Sequence, residues 1–91
     1  MVDKWFSSRE AEGIAASLGI DFATELFDEE QFTAGVNVEL EHGSRSPATN
    51  VTDDDPSLTG KIALAHLREF PDYYERLSRM EAEAEGKTFP D

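Results

Sequence analysis

Two short patterns in this chain have the residue types and spacing for metal chemistry, Glu39-x-x-His42 and His66-x-x-Glu69. Residues three apart share one face of an α-helix, so each pattern sets an imidazole beside a carboxylate. Neutral imidazole nitrogen and carboxylate oxygen suit zinc, manganese or iron, and helical bundles hold such ions with Glu-x-x-His pairs from facing helices. If the carrying helices face one another, Glu39, His42, His66 and Glu69 make a divalent-metal site that uses both histidines of the chain. The competing reading is structural: His66 follows Ile62 by four residues on an apolar side, where a carboxylate or backbone carbonyl satisfies a half-buried ring. The structural reading is the expectation, with no cofactor and no catalytic residue; the metal-binding protein or metal-dependent enzyme is the alternative.

Other chemistries find less support. The chain has no cysteine, which removes disulfides, thiolate metal sites and a cysteine nucleophile. Ser44, Ser46 and Ser57 lack a glycine-framed elbow, and no phosphate-binding loop is present. Thr49, Asn50, Thr52, Asp53, Asp54 and Asp55 offer many oxygens but not the spacing of a calcium-binding helical hand. Helix capping by Asp55 and local turns at Asn50 or Thr52 account for them. The Asn50-Val51-Thr52 glycosylation pattern is short enough to be chance. Of the adjacent Tyr73 and Tyr74, one is expected to face the core and the other solvent or the loop.

The elements that would position these residues are all helical. Ser7 and Glu10 form a capping box, followed by Ala11, Ile14, Ala15 and Leu18 at helical spacing and by Gly19 as C-terminal stop. Trp5 and Phe6, just before the cap, are expected to fold back on the core. Phe22, Leu26 and Phe27 read as core plugs on a turn or short helix. Asp28 to Gln31 is a second box, opening a helix from about Glu29 to His42 that stops at Gly43; Phe32, Val36 and Leu40 form its stripe, although Val36, Val38 and Leu40 would also suit a strand. Residues 44–55 form the long loop. Asp55 then caps a third helix with Pro56 at its first position, carrying Leu58, Ile62, Ala65 and Phe70 with Ala63 and Leu67 beside them, and ending before Pro71. Pro71 opens a fourth helix with Tyr73, Leu77, Met80 and Ala84 on one face and Asp72/Arg76 and Glu75/Arg79 as i,i+4 pairs. Gly86 ends it, and 87–91 fray. The fold class is an all-α bundle of four helices in one domain over 1–91, with 1–6 as lead-in and a tight final hairpin around Pro71.

Twenty acidic residues against eight Lys and Arg give a net charge of −12, spread along the chain. Such a surface repels phosphate and anionic lipid, so neither nucleic-acid nor membrane binding is expected. Adaptation to a salt-rich cytoplasm explains it, since salt screens the self-repulsion; the second alternative is a nucleic-acid mimic that occupies a basic groove. No window is long and apolar enough to span a membrane and no export signal opens the chain, so the expected setting is cytoplasmic or virion-associated.

The run Val38 to Gly43, the stretch Thr49 to Thr52 with Asp54-Asp55-Pro56, and Thr59 to Leu67 followed by Glu69 to Tyr74 together resemble an uncharacterised family, a domain of unknown function met in bacteria, archaea and tailed viruses. The resemblance covers roughly residues 13–85. It implies that the loop and last two helices are diagnostic, with Gly43, Asn50, Asp55, Pro56, Pro71, Tyr73 and Tyr74 among the marking residues, and that a viral or mobile-element role is open. It brings no activity and no catalytic residue. The resulting expectation is a small non-enzymatic interaction or structural module from a halophilic archaeon or its virus, whose partner is another protein or a second copy.

Overall fold

Helix α1 (Ser8–Ser17) starts where the Ser7/Glu10 box places it, in a computed structural model that describes residues 5–86. The Glu10 amide donates to Ser7 Oγ at 3.1 Å and the Ser7 amide to Glu10 Oε1 at 2.9 Å, satisfying two N–H groups the helix leaves unpaired. At its other end Gly19 has φ +74°, and the amides of Gly19 and Ile20 donate back to the carbonyls of Ala16 and Ala15, the paired closure that a left-handed residue permits. Helix α2 (Glu29–Glu39) opens with the reciprocal Asp28/Gln31 box, both bonds 2.8 Å, and tightens into a 3-10 turn at Leu40–His42. Helix α3 (Pro56–Glu69) has Asp55 as its cap, accepting from the Leu58 amide at 2.9 Å. Helix α4 (Tyr73–Gly86) follows. Among the described residues there are four α-helices, two 3-10 turns and no strand.

Helix α2 lies at the centre, packed against the other three helices. Its stripe of Phe32, Val36 and Leu40 is fully buried, which decides helix over strand. The Phe32 ring meets Phe22 edge-on and stacks on Phe27, with centroids 6.0 and 6.4 Å apart. Asn37 holds the chain ahead of α1: its Oδ1 accepts from the Phe6 amide at 2.7 Å and its Nδ2 donates to the Phe6 carbonyl at 2.9 Å. Helices α1 and α3 touch at Gly60, where a Cβ would lie 2.5 Å from Ile14 Cγ2 and 2.9 Å from Leu18 Cδ1. Any larger residue there would force the two helices apart.

Several sequence expectations need correction. Phe6 reaches the core but Trp5 is exposed, with the Arg45 guanidinium 5.1 Å above its ring. Phe22 and Phe27 plug the interior, whereas Leu26 is 87% exposed. On α3 the buried face is Thr59, Gly60, Ala63 and Leu67; Leu58, Ala65 and Phe70 are exposed and Ile62 is half-buried. The close approach at Gly60 selects that face, and Thr59 can enter it because its hydroxyl donates to the Asp55 carbonyl at 2.7 Å. Helix α4 begins at Tyr73 and not at Pro71, which with Asp72 forms the turn. Arg76 pairs with Asp72 at 2.9 Å, but Glu75 accepts from Gln31 Nε2 at 3.2 Å in place of the expected Arg79 partner. The hairpin holds only for the first turns of α4: every residue from Ser78 to Glu85 is exposed, Met80 and Ala84 included. The expectations for residues 1–4 and the frayed tail 87–91 lie outside the described residues.

The segment 44–55 is an ordered knot of short-range bonds around a 3-10 turn at Pro47–Thr49. The His42 carbonyl accepts from the amides of Val51 and Thr52, and Asn50 Oδ1 accepts from the Asp53 amide at 2.7 Å. Asp53 and Asp54 have φ +50° and +63°, a strained geometry that Asp tolerates better than most residues. The Asp54 carboxylate accepts from both the amide and hydroxyl of Ser44. It lies so close to Gly43 that a Cβ there would overlap Asp54 Oδ1, so Gly43 makes room as well as ending the helix.

Helices α1 and α2 also bring two like charges together. A hydrogen bond shared with Glu12 holds the carboxyl of half-buried Glu29 above its usual range. A raised carboxyl pKa favours the fold at acid pH and opposes it once pH rises through the folded value. Replacing Glu12→Gln should therefore raise the unfolding midpoint at neutral pH and lose that advantage in acid, where the Glu29 carboxyl is protonated in the folded and the unfolded chain alike. Equal midpoints at neutral pH would contradict the contact.

Candidate functional site

Glu39 is the last residue of α2 and is only 3% exposed. Burial penalises a carboxylate, and the C-terminal end of a helix is its negative end, so this group needs donors. The Tyr74 hydroxyl supplies one, donating to Glu39 Oε2 at 2.6 Å. The same carboxylate and burial push the Tyr74 phenol well above its ordinary pKa of 10.0, burial being the larger cause.

Two imidazoles flank the carboxylate. His42 Nε2 lies 3.7 Å from Oε1, and His66 Nε2 lies 3.7 Å from Oε2. The 3-10 turn positions the first, because residues three apart eclipse in that geometry and His42 stands over Glu39. Burial of Ala63 and Leu67 on α3 positions the second, whose ring stacks on Tyr73 with centroids 4.2 Å apart and planes 8° from parallel. Tyr74 meets His66 edge-on at 6.3 Å. The ring of Tyr74 reaches Glu39 across Gly35, where a Cβ would come within 2.6 Å of Tyr74 Cε2.

Of the four residues put forward as ligands, Glu39, His42 and His66 thus converge, each drawn from a different turn or helix. Glu69 stays outside: it is exposed at the end of α3. Among the described residues no group of three or more His, Asp or Glu has the geometry to hold a metal ion. One carboxylate oxygen is taken by the Tyr74 hydroxyl, and each imidazole nitrogen sits beyond hydrogen-bond length from its oxygen. The Glu39–Tyr74 bond is a polar latch between α2 and α4 with His66 of α3 beside it, and among the described residues no buried side-chain polar atom is left without a partner.

Among the residues marked by the resemblance, Tyr74 has the most direct part in this latch, as the hydroxyl donor. Tyr73 carries His66, Pro71 shapes the turn that delivers both tyrosines, and Gly43, Asn50, Asp55 and Pro56 order the chain between the two histidines. A family model described as a protein of unknown function, DUF5661, matches residues 11–83. The chain belongs to the DUF5661 family. No curated protein and no solved structure matches it, and no helix among the described residues is long and apolar enough to cross a membrane. Family membership thus agrees with the resemblance read from the loop and last helices, and it assigns no activity to the latch.

Gly35 and the Tyr74 hydroxyl were not picked out as site residues by sequence reasoning. Gly35 left a signal, since glycine inside a helix costs about 1 kcal/mol against alanine and so marks a close approach.

The latch has a pH signature. A phenol whose folded pKa is raised stabilises the fold below its unfolded value of about 10 and loses that contribution as pH climbs above it. An ultraviolet phenolate titration should therefore show Tyr74 ionising only with alkaline unfolding. Removal of the slow, unfolding-linked step by Tyr74→Phe would assign it; two tyrosines ionising together in folded protein would contradict the assignment.

Proposed function

We propose that this protein is a small non-enzymatic interaction module, in which the Glu39/Tyr74 latch fixes the first turns of α4 so that the rest of the helix is presented to a protein partner. The observation that carries the reading is the exposure of every residue from Ser78 to Glu85, with Met80 59% exposed on a stripe continuous with half-buried Tyr73 and Leu77. Two isolated helical turns are marginal in water, and a projecting apolar stripe is the feature that an amphipathic partner helix covers. Phe70, Tyr73, Arg76, Leu77 and Met80 line a groove of about 250 Å³ along this face. The latch itself supports a structural role, because its carboxylate is already satisfied from within. The charge of −12 supports a salt-rich setting, as in a halophilic archaeon or its virus, where screening permits close approach of acidic surfaces.

A photo-reactive amino acid in place of Met80 should give a discrete protein adduct in cells, whereas the same residue in place of Ala82, on the opposite side of α4, should not. No adduct at Met80, or equal labelling at both positions, would count against the module. The convergence of Glu39, His42 and His66 supports a second reading, divalent-metal binding, in which an ion would displace the Tyr74 hydroxyl. Elemental analysis of protein purified at high salt without chelator separates the two: near-stoichiometric metal lost in both His42→Ala and His66→Ala favours the metal reading, and its absence from the wild type removes it.

A further inference from the structure

We infer that the partner of α4 is a second copy of this chain, docked as an antiparallel helix pair; the inference rests on the module reading above. Tyr73, Leu77, Met80 and Ala84 are spaced 4-3-4, the alternation that forms a two-helix seam, and Phe70, ahead of the turn into α4, lines the same groove. The residues that flank such a seam are charged in opposite sense along the helix. Arg76 lies in its first half, and Glu81 and Glu83 in its second.

Direction follows from three features of this helix. An antiparallel pair sets Arg76 of each copy against Glu83 of the other, at both ends. A parallel pair would lay the two acidic halves side by side. Size matches in the same sense: the bulky Tyr73 end meets small Ala84, while Leu77 and Met80 pair at the centre. Antiparallel packing also sets the two bodies at opposite ends of a seam of about 18 Å, which separates two chains of charge −12. So short a seam falls at the small end of specific interfaces, so the dimer is expected to be weak and concentration-dependent.

Sedimentation velocity over a concentration series at high salt tests this. The average mass should rise from 10.1 kDa towards twice that value, and Met80→Glu should keep the chain at monomer mass with unchanged helicity. Arg76→Glu or Glu83→Arg alone should weaken association by about tenfold, equivalent to about 1.4 kcal/mol, and the two together should restore it. Restoration requires Arg76 to face Glu83 across the seam, so absence of rescue would overturn the antiparallel arrangement. Monomer mass at every concentration would overturn the second copy as partner. If Met80 meanwhile labels only a different polypeptide, the module stands and the self-pairing falls; if it labels nothing, both fall.

Discussion

A carboxylate buried at the negative end of a helix must be given a donor, and in this fold the donor arrives from the last helix. Glu39 and the Tyr74 hydroxyl are 35 residues apart and meet at 2.6 Å. For that bond to form, α2 must carry Gly35 beneath the Tyr74 ring, Pro71 must turn the chain immediately after α3, and α3 must lie against α2 with Ala63 and Leu67 inward. Removing the hydroxyl would leave the carboxylate buried without its hydrogen bond, which costs more than the bond itself contributes. The latch thus depends on how these three helices fit together.

The same bond divides α4. Its first turns belong to the core through Tyr73, Tyr74 and Leu77, and its later turns extend from it. The described chain measures 46 × 30 × 20 Å, elongated for so few residues. The part of α4 beyond its base is exposed, Met80 included. Both histidines lie beside the carboxylate, His42 exposed and His66 half-buried, where His66 also supports Tyr73.

The sequence was most legible where local chemistry decides structure. The two capping boxes, the Asp55-Pro56 start, the Gly19 stop and the stripe of Phe32, Val36 and Leu40 are each set by residues within one or two turns. Reading failed where tertiary contact decides. The α3 stripe of Leu58, Ile62 and Ala65 is as apolar as the buried one, but only the face bearing Gly60 lets α1 approach. Leu26 and Trp5 look like core residues by type, yet the aromatic cluster and the Asn37 clamp on Phe6 fill those places first. For the site, helical spacing paired Glu39 with His42, and matching patterns pointed to His66. It assigned Glu69 to the same group, although the end of α3 leaves that residue in solvent. Nothing in the spacing showed that Tyr74 would occupy the carboxylate, because that partner comes from across the fold.

A double-mutant cycle on Glu39→Gln and Tyr74→Phe, read as unfolding free energy at neutral pH, addresses the latch most directly. Each substitution disturbs the same bond, so the account predicts a coupling between them of about 1–3 kcal/mol. Additive effects, within about 0.5 kcal/mol, would mean that the two groups merely lie near each other and that something else holds α4 in place.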